Sequence, residues 1–318
     1  MEFSPGEDNV DRTMLMTGAS RGIGRHAAEH MLRADPDLHL IVVARGRDTA
    51  TLPGELAAAS GNRHVRAIGA DLASLADVRA VVAEVTAALD AGTTPPLYGL
   101  VANAGIQRTS TTEATSDGFE TTFAVNVLAN YLLVRLLADR FTAPGRIVVT
   151  SSDTHAGAGA PLVPKARWAD VATLARPGTG PTAASATEGR RAYSTSKLGV
   201  IYLVHALARR LPAGVDAYAF NPGLVPGTDL ARDAGPVTRG LFRALAPVLT
   251  LLPFAQRARD AGDQLAAAAT GPRPGDSGAY LDRSRAGRSS PESYDPVREE
   301  ALWRDCASLV GLPADQPA

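Results

Sequence analysis

The stretch MLMTGASRGIG, residues 14–24, decides how the chain folds, and it fits two patterns. Gly18-Ala19-Ser20-Arg21-Gly22 matches G-x-S-x-G, the elbow that raises a nucleophilic serine between a strand and a helix. Extended by two residues, Gly18-x3-Gly22-x-Gly24 is a glycine loop that lets a backbone close around a phosphate, with the positive end of the next helix aimed at the charge. The first pattern makes a serine hydrolase, the second a nucleotide-cofactor enzyme. An elbow serine needs a histidine base late in the chain, after its acid. The last histidine is His205, inside a segment of helical spacing, and His155 has no acid placed to orient it. The elbow would also sit on the first strand, with none before it to supply the second oxyanion donor. The phosphate reading stands.

Composition narrows the class. The 318 residues are 45% hydrophobic and 20% charged, with a formal net charge of −1 and a pI near 6.6. That balance argues against nucleic acid as the main partner, because phosphate backbones call for a basic face. One cysteine, Cys306, rules out an internal disulfide and a cysteine metal cluster, and no metal is expected. The acidic, polar start does not read as a signal peptide. The most apolar run, LFRALAPVLTLLPF at 241–254, is shorter than the ~20 residues that span a bilayer and is broken by two prolines. The expectation is a soluble cytoplasmic protein with no transmembrane segment. Of 32 basic side chains only Lys165 and Lys197 are lysine, so each asks for a reason.

After a flexible tail over residues 1–11, apolar strands at 13–17, 39–44, 64–72, 97–105, 146–152 and 216–223 alternate with helical spacing. The helices run from 24 to just before Pro36, then 77–89, 119–137 and 193–211. Such alternation implies a parallel sheet covered on both faces, in a single domain over 12–318. Two stretches depart from it, an insert at 153–192 and a lid region at 224–254. Both follow strand C-terminal ends, where open α/β sheets bind ligands. At the end of the second strand, an NAD enzyme carries an acid for the ribose 2′-hydroxyl. This chain has Ala44-Arg45 there, which with Ser20 and Arg21 suits a 2′-phosphate and points to NADPH/NADP over NAD. Tyr193 and Lys197 stand i and i+4 on one helix face. A free tyrosine titrates near ~10, and a nearby ammonium lowers that value toward useful acid–base chemistry.

TGASRGIG (17–24), Asp71-Leu72, NAG (103–105), the asparagine of FAVN (Asn126), TSS (150–152), YSTSK (193–197) and NPG (221–223) occur in order. Over nearly its whole length the chain resembles the short-chain dehydrogenase/reductase family. The segment SGAYLDRSRAGRSSPES…ALWRDCASLVGL is similar to the retinol-dehydrogenase and protochlorophyllide-reductase-like branch. The resemblance implies a Rossmann-type doubly wound parallel sheet of about seven strands with helices on both faces. It implies a catalytic set of Asn126, Ser152, Tyr193 and Lys197. Ser152 would bond the substrate carbonyl, with Ser151 as the register alternative, and Asn126 would hold a relay water. It assigns Gly18, Ser20, Arg21, Gly22, Ile23 and Gly24 to the cofactor loop, with Asn103, Ala104 and Gly105 on the adenosine ribose side. Asp71 would accept from the adenine amino group, Leu72 would offer its amide, and Pro222, Gly223 and Val225 would hold the nicotinamide.

The implied reaction is hydride transfer from NADPH to a ketone or aldehyde of a bulky, largely apolar small molecule, or the reverse oxidation. Tyr193 is the proton donor. A C=C reductase, a redox-neutral enzyme and a non-catalytic NADP-binding sensor stay as alternatives, and monomer and homodimer both stay open. Two departures stand out. Ser152 and Tyr193 are 41 residues apart, farther than in the commonest members. The insert's Trp168, Asp170 and RPGTGPT (176–182) are therefore expected over the substrate, a surface flap being the other reading. Thr228 falls one residue later than the family's nicotinamide-contacting threonine, which leaves that contact in doubt.

Overall fold

Residues of β1 (Arg12–Thr17) alternate between two apolar environments: Leu15 faces one core, and Met14 and Met16 the other. The same period of two runs through β2 (Leu38–Ala44), where Ile41 and Val43 oppose Leu40 and Val42. Strands buried on both faces need helices on both sides, and the chain supplies them. The structure is a computed structural model and describes residues 11–157, 163–226 and 255–314. The expected tail, except its last residue, and most of the expected lid, with Thr228 and the 241–254 run, lie outside the described residues.

In chain order the elements are β1, α1 (Gly22–Ala34), β2, α2 (Asp48–Ser60), β3 (Val65–Gly69), α3 (Leu75–Asp90) and β4 (Leu97–Ala102). There follow α4 (Thr121–Arg140), β5 (Phe141–Thr150), α5 (Val171–Leu174), α6 (Ala186–Ala208) and β6 (Val215–Asn221). The last are α7 (Ala258–Thr270), β7 (Tyr280–Asp282), β8 (Arg285–Gly287) and α8 (Pro296–Leu309). The sheet order is β3-β2-β1-β4-β5-β6-β7-β8, parallel up to β7. The chain reverses direction of travel between β1 and β4, and this switch point opens a crevice at the strand C-terminal ends.

One face is covered by α1, α2 and α7 through Ala28, Met31, Leu52, Leu56 and Leu265. The other is covered by α3, α4, α6 and α8. The approach of α1 to α7 is close because position 262 is glycine. A Cβ there would lie 2.5 Å from that of His26 and 2.9 Å from the Ile23 carbonyl oxygen. Helix α4 is the one described helix long and apolar enough to cross a bilayer, and it is almost wholly buried within the domain. Cys306 is buried and unpaired, and burial pushes its thiol up.

The expected sheet of about seven strands has an eighth, β8, a three-residue antiparallel edge joined to β7 by a short turn. Strand β3 ends at Gly69 rather than 72, because Asp71 turns the chain by accepting from the Ala73 amide at 3.0 Å. Helix α6 begins at Ala186, seven residues before Tyr193, with Ser185 capping it through the Glu188 amide at 3.2 Å. The end of the insert is thus helical. Helix α2 was not expected, since Pro53 and Gly54 lie inside it. It is held by Leu52 and Leu56, one turn apart.

Candidate active site

The glycine loop sits between β1 and α1, beside Asn103 and Ala104 at the end of β4. Gly18 has φ +72°, and a Cβ on it would meet the Ala104 nitrogen at 2.7 Å; one on Gly24 would meet the Gly18 carbonyl oxygen at 2.0 Å. Only glycine allows that backbone contact. Asn103 Nδ2 ties the loop by donating to the Gly18 carbonyl at 3.1 Å, and the Ala104 amide donates to Thr17 Oγ1 at 3.0 Å. No side chain caps α1, and its first turn carries no acid, so its leading N–H groups face the cleft. Ser20, Arg21, Gly22, Ile23, Arg45, Asp71, Leu72 and Gly105 line the same cleft, as do Pro222, Gly223 and Val225, around a cavity of about 940 Å³. The expected cofactor residues are therefore gathered in one place. Arg45 donates to Asp71 Oδ2 at 3.0 Å, with both side chains about half exposed.

At the inner end Tyr193, Ser152 and Lys197 converge. Ser152 lies just past β5 beside the Tyr193 hydroxyl, while Ser151 Oγ donates to the Lys197 carbonyl at 3.0 Å and is thereby committed to α6. Of the two serines, Ser152 is the one beside Tyr193. Lys197 Nζ donates to the Thr150 carbonyl at 2.8 Å and lies 5.4 Å from the Tyr193 ring centre. Burial without an anionic partner pushes this ammonium down to about 7. Tyr193 moves the other way. Burial raises it, Ser152 partly opposes that, and the Asp153 carboxylate raises it again. The lowering expected from Lys197 is thus not produced by the chain's own groups, and the phenol holds its proton at neutral pH. Gly105 leaves room for the ammonium, since a Cβ there would stand 3.3 Å from Nζ.

Asn126 occupies a π-turn, Ala124–Leu128, inside α4. Its side chain is fully engaged: Oδ1 accepts from the Ile106 amide, and Nδ2 donates to the Ile106 carbonyl and to Ser196 Oγ, all at 2.9 Å. Its main-chain carbonyl accepts from Asn130 Nδ2 at 2.9 Å. The residue braces the floor of the site. In the insert, the expected placement of Trp168 and Asp170 over the substrate is corrected. Trp168 packs edge-on against Tyr202, 4.7 Å between centres, as part of the core rim. Asp170 caps α5 through the Thr173 amide at 2.8 Å. The 176–182 run turns onto the 111 loop, the Gly178 amide donating to the Thr111 carbonyl at 2.7 Å. Burial in an apolar rim outcompetes a lid position for an indole.

Three residues escaped the sequence reading. Asn221 joins the serine loop to the nicotinamide-side loop: its Oδ1 accepts from the Asp153 amide at 3.1 Å and the Gly223 amide at 3.0 Å. Its place in NPG was the signal. Asp153 follows the serine, and Arg190 stands one helical turn before Tyr193; both line the cleft. His155, on the loop after Ser152, is buried. Its Nδ1 donates to the Ser152 carbonyl at 2.5 Å, and Nε2 accepts from the Ser290 amide at 3.1 Å. It is a strut, and Lys165 reinforces the same tie by pairing with Glu292 at 3.3 Å.

Burial holds His155 below its ordinary value of 6.5. The unfolded chain takes up that proton first, so the strut's stabilisation is complete above about 6.5 and is lost as pH falls toward the folded value. Melting curves of the wild type should drop more steeply than those of His155→Gln between about pH 7 and about pH 5. Parallel curves would remove His155 from the acid response.

Comparison with known proteins agrees with this geometry. Residues 12–163 match the short chain dehydrogenase family. Retinol dehydrogenase 13 of Homo sapiens is 31% identical over 312 residues, covering 95% of this chain and 86% of that protein. The chloroplastic protochlorophyllide reductase of Chlamydomonas reinhardtii is 31% identical, covering 95% and 79%. A blue fluorescent protein from a metagenomic library, solved in complex with NADPH, superposes with a TM-score of 0.60 at 27% identity, covering 88% of this chain and all of that one. The chain belongs to the short-chain dehydrogenase/reductase family of oxidoreductases. Within it, the similarity is to the retinol-dehydrogenase-like branch.

Proposed function

We propose that the protein is an NADP(H)-dependent carbonyl reductase acting on a ketone or aldehyde with a largely apolar body. The observation that carries this reading is the convergence of Ser152, Tyr193 and Lys197 at the inner end of a cleft headed by a glycine loop. The residues present fit a dinucleotide: Gly18 and Gly24 leave a backbone surface that any Cβ would fill, and the uncapped start of α1 suits a pyrophosphate. Gly18, Ser20, Arg21, Gly22, Ile23 and Gly24 would hold the phosphates. Asp71, Leu72, Asn103, Ala104 and Gly105 would hold the adenosine side, and Pro222, Gly223 and Val225 the nicotinamide. When bound, the cofactor supplies the hydride that a carbonyl carbon receives.

The chain's own groups do the rest. Ser152 donates a hydrogen bond to the carbonyl oxygen and orients it. Tyr193, kept protonated by burial and by Asp153, gives its proton to that oxygen as negative charge builds there. Lys197, anchored by the Thr150 carbonyl, sets a positive charge near the tyrosine ring in its protonated form, as the tyrosine gives up the proton. Ile106, Val125, Val163 and Val225 give the cleft apolar walls suited to an apolar substrate body.

Arg45, which pairs with Asp71, would hold the 2′-phosphate of NADP, a charge-assisted contact worth about a ten- to hundredfold preference over NAD. Titration of NADPH and NADH into the wild type and Arg45→Asp should show tighter NADPH binding that the variant loses. Equal affinities in the wild type would sink the 2′-phosphate assignment, and no binding of either would sink the glycine-loop reading. An alcohol product from a ketone supports carbonyl reduction, whereas a saturated C–C bond with the carbonyl intact would favour the C=C reductase alternative.

A further inference from the structure

Asp153 stands where a substrate must pass. It follows Ser152 directly, lines the cleft, and receives the Ser152 hydroxyl at Oδ1 over 3.3 Å. Its backbone is pinned by Asn221 Oδ1 at 3.1 Å, and Asn221 is in turn held by its Nδ2 donating to Asp282 at 3.0 Å. The carboxylate is largely removed from water, and burial raises its proton affinity. Among the described residues no ion pair reaches it. A carboxylate so placed is satisfied by a donor or it weakens whatever binds beside it.

The serine has one proton to give. When a carbonyl oxygen takes the Ser152 hydrogen bond, Asp153 loses the one side-chain donor it has among the described residues. A plain ketone offers that carboxylate no donor in place of the serine. A ketone with a hydroxyl on the next carbon restores the bond, because the two oxygens of such a molecule are about one hydrogen bond apart, the same span as Ser152 Oγ to Asp153 Oδ1. An ammonium at that carbon does the same. We propose that Asp153 selects substrates with a hydrogen-bond donor, hydroxyl or ammonium, on the carbon adjacent to the carbonyl that is reduced, an inference that rests on the carbonyl-reductase reading above. No bond to Asp153 is made or broken. The donor keeps its proton, and the hydride and the Tyr193 proton go to the carbonyl carbon and oxygen as before.

The test compares kcat/KM for 2-hydroxyacetophenone with that for 2-methoxyacetophenone, which keeps the oxygen and loses the donor. It is run with NADPH in the wild type, Asp153→Asn and Asp153→Ala, with 2-amino-1-phenylethanone as the ammonium arm. The wild type should prefer the free donors by about ten- to a hundredfold, the range for a hydrogen bond to a charged group, and both variants should lose most of that preference. The wild-type ratio is informative even if a variant does not fold. Reduction of the hydroxy and methoxy ketones without preference overturns this inference and leaves the reductase reading standing. A preference that survives in both variants removes Asp153 as its source. Reduction of none of the ketones, with NADPH bound, overturns the reductase reading and this inference with it.

Discussion

Tyr193→Phe should lower kcat by about 10²–10⁴-fold while NADPH affinity stays near the wild-type value. The change removes one oxygen and keeps the ring, which fills a buried position at 5% exposure beside Ser152 and Lys197. The lost atom is the proton donor, so the loss falls on the chemical step. Stability should change little, because Ser152, the polar side chain beside the hydroxyl among the described residues, keeps Asp153 and the Thr154 amide, each at 3.3 Å. Burial and the Asp153 charge raise the Tyr193 pKa, so the phenol is protonated across neutral pH and ready to act as an acid in the reductive direction. Single-turnover rates and NADPH titration on the same preparation check the claim. A variant within a few-fold of wild-type kcat would mean that another group delivers the proton.

The second large effect is predicted at Gly24. An alanine there puts a methyl 2.0 Å from the Gly18 carbonyl oxygen and 2.5 Å from Asn103 Nδ2, neither of which is the free end of a flexible chain. The Asn103–Gly18 hydrogen bond at 3.1 Å crosses the same space. Relief requires the loop and the start of α1 to part, which widens the surface proposed for the pyrophosphate. Overpacking of this severity destabilises by about 1–3 kcal/mol or more. Gly24→Ala should therefore melt several degrees lower and lose NADPH binding by about a hundredfold or more. Gly54→Ala is the matched control, since it sits in α2 with nothing within 4 Å of its Cβ, and it should melt at or slightly above the wild type. NADPH affinity within threefold of wild type in Gly24→Ala would show that the loop does not contact the nucleotide.

Six strands and four helices were legible because burial on both faces of the sheet, and on one stripe of each of those helices, leaves a periodic apolar signature. Helix α2 was not, since Pro53 and Gly54 speak for a loop and only two leucines report its packing. The hairpin β7–β8 was equally silent. Its strands are three residues each; β7 is recognised only by pairing with β6, some 60 positions earlier, and β8 only by pairing with β7. At the site, Tyr193, Lys197 and the glycines were readable because backbone geometry and spacing restrict them to few residue types, and Ser152 was expected through the family resemblance. Asp153, Arg190 and Asn221 matter through contacts between segments far apart in sequence, which spacing does not encode. Trp168 misled for the complementary reason: its position in a long insert suggested a lid, while an indole finds more apolar contact against Tyr202 than over an open cleft.

The packing of α1 on α7 also bears on the order in which the molecule can be assembled at the ribosome. The helix that carries the glycine loop emerges among the first residues, yet the surface that covers its inner side, shaped by Gly262 to fit His26 and Ile23, belongs to residues 258–270. Until residues 258–270 have been synthesised, Ala27, Ala28 and Met31 lack that cover, and the nascent Rossmann half must wait with apolar surface facing solvent. Synthesis of residues 258–270, and not of the loop itself, therefore sets the moment at which the helix behind the loop gains its packing partner.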